Sequence, residues 1–335
     1  MKARHGARRN RSIAGRPGGL VGSAAVSKRT HDVARAAAAL QRGELVGLPT
    51  ETVYGLAGNA LDPDVVVRIF EAKRRPRFDP LIVHLAGVEG VEAVVEGGIP
   101  EAARALVAEA WPGPLTLVLP RSPSVPDLVT AGLDTVAVRV PGHPLARQLL
   151  AAVPFPLAAP SANPFGYVSP TRAEHVLEQL GEAVACVLDG GPCTVGVEST
   201  IVRFGAGTPT VLRLGGFPLE DVRRLVGDVD VQTSSSNPRA PGQLQSHYAP
   251  RTAVLLDRDG VGVGGALRLR ALRPDLPAEA QRVLAPDGDL RQAAQGLFAA
   301  LRELDGLGLD WIAAELVPEE GLGRAINDRL RRAAR

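Results

Sequence analysis

Short apolar runs alternate with helix-forming stretches from Thr30 onward, and this alternation restricts the chain to an α/β fold around a central sheet. LVGL begins at Leu45, LIVHL at Leu81, LTLVL at Leu115, VAVRV at Val136 and PLAAP at Pro156, with further strand candidates at Val184, Ser199 and Thr210. Between them, Asp62 followed by Pro63 opens a helix, because an Asp N-cap and a Pro at N1 suit the unpaired N–H groups of a first turn. Helical segments are expected near Glu89 and Glu101, and Thr30 and Gly43 bracket HDVARAAAALQRG as cap and stop. Strict βαβ alternation lapses from Leu115 to Val140, where a Pro/Ser/Gly-rich connection alone joins two strand candidates, so a mixed sheet is expected.

A chain of 335 residues suits two domains. GDVDVQTSSSNPRAPGQLQSHYAP, rich in Ser, Pro, Gly and Asn, reads as a linker and divides a first domain at 30–227 from a second at 252–335, with the linker at 228–251. TAVLLD starts the second α/β unit, DLRQAAQGLFAALRELDG is strongly helical, and GLGRAINDRLRRAAR closes the chain as a basic helix. GVGVGG at Gly260 lacks the G-x-G-x-x-G spacing of a dinucleotide loop and reads as a plain turn.

Charge narrows the partners. Residues 1–30 hold eight basic residues and no acid, leaving 30 basic against 36 acidic residues in the body. A mildly acidic body argues against a broad nucleic-acid face, so any anion site is local, and direct contact with nucleic acid is left open. Residues 1–29 read as a basic, flexible tail; a mitochondrial-type presequence and an upstream-misassigned start codon have the same composition. No run approaches the roughly 18–20 apolar residues of a membrane span. Cys186 and Cys193 match no zinc spacing and no disulfide framework, which favours a reducing cytoplasm.

Lysine usage marks one segment: of 38 basic side chains three are Lys, and only Lys73 lies outside the tail. In EAKRRPRFDP it stands beside Arg74, Arg75 and Arg77, a point charge next to forked donors, a mixture suited to phosphate oxygens. The alternative is a solvated cluster complementing a helix C-terminus. LPTETVYGLAG places Thr50, Thr52 and Tyr54 at a strand end, where open α/β sheets bind ligands, and APSANPFGYVSPT offers Ser161, Asn163 and Ser169; either is also compatible with ordinary turn chemistry. GGPCTVG before VESTIV presents Ser199. His84 reads as a core histidine or a ligand, whereas Arg139 within an apolar strand demands an anionic partner. The chain has no GxxxxGK[ST] loop, no G-x-S-x-G and no His pair at helical metal spacing.

In order, PTETVYGL, EAKRRP…DPLIVHL, WPGPLTLVL, VRVPGHP, APSANPFG…SPT, DGGPCTVGVESTIV and VLRLGG resemble the YrdC-like threonylcarbamoyl-AMP synthases across roughly Thr30 to Val226. APGQLQSHYAP and the closing LDGLGLDWIAAELVPEEGLGRAINDRLRRAA resemble the linker and C-terminal domain of the longer, two-domain members. The resemblance implies a twisted mixed sheet with a concave pocket plus a smaller Rossmann-like C-terminal domain. It implies synthesis of threonylcarbamoyl-AMP and pyrophosphate from L-threonine, bicarbonate and ATP, with Mg²⁺ carried on the nucleotide rather than by protein side chains. The product would pass to a tRNA-modifying transferase complex. By the same resemblance, Lys73, Arg75, Ser161 and Asn163 hold the nucleotide, assisted by Thr135, Ser169, Arg213 and Tyr248, with Asp79 alongside; Lys73 and Arg75 carry the catalytic charge. L-Threonine meets Thr52, His84, Arg139, the backbone of Ala159, and Ser199. The linker with His247 and Tyr248 is expected to fold over the pocket as a lid. Two departures weaken expected ATP affinity: Arg74 stands where the family has Gly, so a backbone shape reserved for Gly is lost, and Asp79 replaces Asn. Arg203 and Leu214 likewise replace an expected Asp and Pro. A carbamoyl-transfer enzyme of related fold and an RNA-binding module are the rival readings.

Overall fold

The computed structural model describes residues 27–334, apart from 236, 237, 245 and 246. Its larger sheet has eleven strands, and every run read as a strand in the first domain takes part. From one edge the order is Arg29–Thr30, Cys186–Leu188, Val46–Leu48, Gly55–Asn59, Leu157–Ala158, Ile82–His84, Thr135–Arg139, Leu115–Pro120, Thr200–Arg203, Thr210–Arg213 and Asp230–Val231. Pairing is mixed: Ile82–His84 runs parallel to Thr135–Arg139, which runs antiparallel to Leu115–Pro120. The central strands are apolar on both faces because helices cover both. A large core cluster includes Tyr54, Leu56, Ile69, Leu115 and Val138, and a second, including Leu40, Leu48, Leu149 and Leu157, lies under the first helix.

Several boundaries move. Arg29 belongs to an edge strand rather than the tail, held by ion pairs to Glu174 and Asp189 at 2.5 Å each; residues 1–26 of the expected tail lie outside the described residues. The first helix, Val33–Gln41, is capped by Asp32, whose side chain accepts from the Arg35 N–H; Thr30 instead accepts from the Asp32 N–H. Helix Pro63–Lys73 keeps its expected Asp62 cap and N1 proline. Half of the LPTETVYGLAG loop is strand, and the expected linker opens with Asp230–Val231, which adds a last parallel strand beside Thr210 and Val211.

The second domain is a four-stranded parallel sheet ordered Ala253–Leu256, Trp311–Ala314, Gly264–Arg268, Gln281–Val283, with helices Leu290–Asp305 and Gly323–Ala333 packed against it. GVGVGG is only partly a turn: Gly264 and Gly265 enter a strand because Trp311 lies across them, and a Cβ at Gly264 would sit 2.0 Å from the indole. One apolar cluster joins Phe298, Leu301, Ile326 and Leu330 of this domain to Val53, Val168 and Val197 of the first, with Tyr248 of the linker between them. The site described next is therefore lined by the first domain and the linker, with the second domain packed behind the linker.

Candidate active site

A narrow cleft with about 50 Å³ of free space opens where strands Ile82–His84, Thr135–Arg139 and Thr210–Arg213 end, the position at which open α/β sheets bind ligands. Sheet register sets its floor. His84 and Arg139 are direct partners across two parallel strands, so both side chains emerge together at the strand ends. Arg139 donates through Nε to the Gly113 carbonyl (3.0 Å), through Nη1 to Thr52 Oγ1 (2.9 Å) and through Nη2 to Glu51 Oε1 (2.5 Å). The anionic partner that a buried arginine requires is thus Glu51, which also accepts from the Gly142 N–H at 3.0 Å. Thr50 behaves as an ordinary turn residue, its hydroxyl donating to the Val53 carbonyl at 2.6 Å.

Burial first, and Arg139 next, push the His84 imidazole down to about 3, so the ring is neutral near pH 7. Its Nδ1 lies 3.2 Å from the Ile82 carbonyl, which only accepts; the proton therefore sits on Nδ1 and leaves Nε2 as an acceptor. Beside it, Ser199 Oγ pairs with Thr116 Oγ1 at 2.7 Å and accepts from Arg213 Nη2 at 3.0 Å. The Ala159 backbone runs past the same floor, its N–H donated to the Ile82 carbonyl at 3.1 Å.

Lys73 ends its helix pointing inward rather than to solvent. Its Nζ donates to the carbonyls of Ser161 (2.5 Å) and Asn163 (2.6 Å), and only 1% of the residue is exposed. Arg74 makes this possible by adopting φ 52°, ψ 40°, the left-handed shape expected to need Gly, while its side chain stays exposed. That conformation costs a non-Gly residue roughly 1–2 kcal/mol. It returns the chain so that Arg75 donates to the carbonyls of Asp79 (3.0 Å) and Pro80 (2.8 Å) and pairs with Asp79 Oδ2 at 2.8 Å. Asp79 therefore meets an arginine, although neither of its oxygens receives an aligned hydrogen bond. Burial, then Arg75, holds the Lys73 ammonium well below its usual range, with Asp79 opposing; burial raises the Asp79 carboxyl against Arg75, Lys73 and Arg213. Lys73, Arg75, Arg139 and Arg213 thus face three buried carboxylates, Glu51, Asp79 and Glu198, around one cleft.

The linker forms the roof. Pro241, Gly242, His247 and Tyr248 line the cleft, and Arg213 ties this segment down by donating to the Pro241 carbonyl at 3.2 Å. Gly242 is required there: φ is 85°, and a Cβ would lie 2.7 Å from the Tyr248 hydroxyl. Four rings run from one domain to the other, Phe165 to His247 (5.6 Å), His247 to Tyr248 (4.1 Å) and Tyr248 to Phe298 (5.7 Å).

Of the residues singled out from sequence, Thr52, Arg75, His84, Arg139, Ala159, Ser161, Ser199, Arg213 and Tyr248 line the cleft. Lys73, Asp79, Asn163 and Ser169 stand behind its wall, the last donating to Glu198 Oε1 at 2.6 Å. Thr135 is not among the lining residues: it starts the strand that Arg139 ends, opposite Pro120, four residue steps and about 13 Å away. Sequence reasoning missed Glu51 and Glu198. The one available signal was the demand of Arg139 for an anion, which pointed equally to substrate.

A family model described as telomere recombination, named for Sua5, yciO and yrdC, matches residues 38–215, and a second, described as the C-terminal domain of threonylcarbamoyl-AMP synthase, matches residues 217–335. The threonylcarbamoyl-AMP synthase of Pyrococcus abyssi is 42% identical over 320 residues, spanning 89% of this chain and 93% of its own length. That of Bacillus subtilis is 40% identical over 333 residues, 92% of this chain and 94% of its own. The crystal structure of P. abyssi Sua5 complexed with L-threonine superposes with a TM-score of 0.83 at 40% identity, covering 91% of this chain and 96% of that one. The chain belongs to the threonylcarbamoyl-AMP synthase family, in its two-domain form.

Proposed function

We propose that the cleft joins L-threonine, bicarbonate and ATP to give threonylcarbamoyl-AMP and pyrophosphate. The observation that carries this is the convergence of three buried arginines and a neutral histidine on one strand-end cleft, with Lys73 behind its wall, in a chain of this family. The threonine carboxylate is met by the N–H groups of Arg139 not engaged by Gly113, Thr52 and Glu51. Its hydroxyl and amine lie toward His84 Nε2, Ser199 and the Ala159 backbone. Carbamoylation of the amine by bicarbonate releases water and leaves a carbamate anion. That oxygen attacks the α-phosphorus, the new O–P bond forms as the bond to pyrophosphate breaks, and no protein base is required.

The protein holds two anions in line and offsets their repulsion through Lys73, Arg75 and Arg213. Ser161 and Asn163 shape the same wall through the carbonyls that hold Lys73, and Ser169 acts through Glu198. Mg²⁺ would arrive on the phosphate oxygens and water, where it would neutralise phosphate charge. The Tyr248 roof excludes water from the adenylate. We assign the enzyme to the cytoplasm, on its two buried free thiols, and its product to a tRNA-modifying transferase.

The test is mass-spectrometric detection of threonylcarbamoyl-AMP when the purified chain meets ATP, Mg²⁺, threonine and bicarbonate. RNA binding without adenylate formation would replace this reading with that of a binding module.

A further inference from the structure

Arg329 lies on the closing helix, Gly323–Ala333, in the second domain, yet apart from its neighbour Asp328 its polar partners lie around the cleft of the first. None of its surface is exposed. Its Nε donates to Glu198 Oε2 at 2.8 Å, its Nη2 to the Leu214 carbonyl at 2.9 Å and its Nη1 to Asp328 at 2.7 Å. The guanidinium lies 4.9 Å over the Tyr248 ring. Glu198 lines the cleft next to Ser199, Leu214 follows Arg213, and Tyr248 is the roof. One side chain therefore touches the three pieces that bound the cleft away from the sheet floor.

A buried arginine is an expensive way to fill space. Its desolvation is offset only when the fork is fully partnered, and an apolar residue of similar volume would suit the surrounding Tyr248, Ile326 and Leu330 cluster. The fork geometry supplies something that packing alone does not, because it fixes direction at several atoms together. The roof needs such a constraint. Tyr248 is held at φ 64°, a left-handed conformation that a non-Gly residue keeps only when its surroundings over-determine it. Arg332, one turn on, adds to the same hold by donating to the carbonyls of Thr233 (2.7 Å), ahead of the roof segment, and Leu244, within it.

We infer that Arg329 is a positioning residue for the reaction: it fixes the Tyr248 ring and the Glu198 carboxylate, so that the second domain completes the nucleotide side of the cleft without touching substrate. This rests on the function proposed above. It predicts a defect in nucleotide binding that passes through Tyr248.

In the full-length chain, Arg329→Lys keeps the buried charge opposite Glu198 but loses the planar fork. We expect the Kd for ATP with Mg²⁺, read by calorimetry, to rise about tenfold, and the Kd for threonine alone to change less than about twofold. In a Tyr248→Ala background the same substitution should have no further effect on ATP. An unchanged ATP Kd, or a full additional loss beside Tyr248→Ala, overturns the proposal. Should Arg329→Lys fail to fold, Arg329→Met combined with Glu198→Gln removes both buried charges; against Glu198→Gln alone it should show the same rise, and equal Kd values overturn the proposal. Product formation by the unsubstituted chain separates the two readings. Product present with ATP binding insensitive to Arg329 defeats only this inference, whereas absence of product defeats the proposed function and this inference with it.

Discussion

The two ends of the cleft are held in place by different means. At the floor, His84 and Arg139 are neighbours in a parallel ladder, in extended backbone, and their partners Thr52 and Glu51 come from the loop after strand Val46–Leu48. At the roof, Tyr248 and Gly242 sit at φ 64° and 85°, and side chains from Phe165, His247, Phe298 and Arg329 converge from four separate segments. The floor is fixed by sheet register and forms with the first domain. The roof is fixed by long-range charge and ring contacts and requires both domains and the linker. An amino acid whose identity must be read is assigned to the rigid end, and a nucleotide that must enter and leave is assigned to the assembled end.

Substitutions can be aimed at one end at a time. The largest effect is expected from Lys73→Ala, which removes the buried ammonium held by the Ser161 and Asn163 carbonyls. Turnover to threonylcarbamoyl-AMP should fall on the order of 10³-fold, with threonine binding and the melting temperature little changed. Wild-type turnover in this variant would remove Lys73 from the site. Arg139→Lys tests the other end: the charge facing Glu51 survives, but the fork that also serves Thr52 and Gly113 does not. The threonine Kd should rise about 30-fold while ATP binding is unaffected. An equal loss for both ligands would erase the distinction between the ends.

What the sequence made legible follows the same division. The floor strands were readable because LIVHL and VAVRV are local patterns, and the Lys73 helix because Asp62 and Pro63 announce its start. Glu51 and Glu198 were not readable as site residues: their arginine partners lie 88 and 131 positions away, and nothing local distinguishes a carboxylate that will be buried. Arg329 was one of several arginines on a basic helix, separated from its exposed neighbours only by the face it turns inward. Arg74 misled for the opposite reason, since propensity forbade a conformation that tertiary packing around Lys73 and Arg75 imposes. Family resemblance assigned Thr135 to the nucleotide, and the strand that carries it sets it about 13 Å from Arg139, outside the cleft lining.

Both ends contribute to the acid limb of stability, since burial pushes the roof imidazole of His247 well below its usual range as it does that of His84. His84 is held at about 3 in the fold, against about 6.5 for a free imidazole. Between those values the unfolded chain binds a proton that the folded chain refuses, so stability is intact above about pH 6.5 and falls as pH drops toward 3. His175, pushed down to about 4 chiefly by burial, has the same sign, so a variant is needed to isolate His84. Urea unfolding of wild type and His84→Gln, compared at pH 7 and pH 5, should show the wild type losing about 2 kcal/mol more than the variant. Parallel losses would mean that the ring is charged or solvated in the fold.

The smallest effect concerns selectivity. If the floor reads the amino acid, serine differs from threonine by one methyl facing a wall of fixed side chains, which is worth about 1–3 kcal/mol and gives a preference of about tenfold or somewhat more in kcat/KM. Valine differs by the hydroxyl, and its binding would leave the buried His84 Nε2 without a partner, so it should be rejected more strongly than serine. Competition assays with the two analogues rank these penalties. A site that rejects serine more strongly than valine would be reading shape alone, and the neutral, acceptor-facing His84 would then have no part in recognising the hydroxyl.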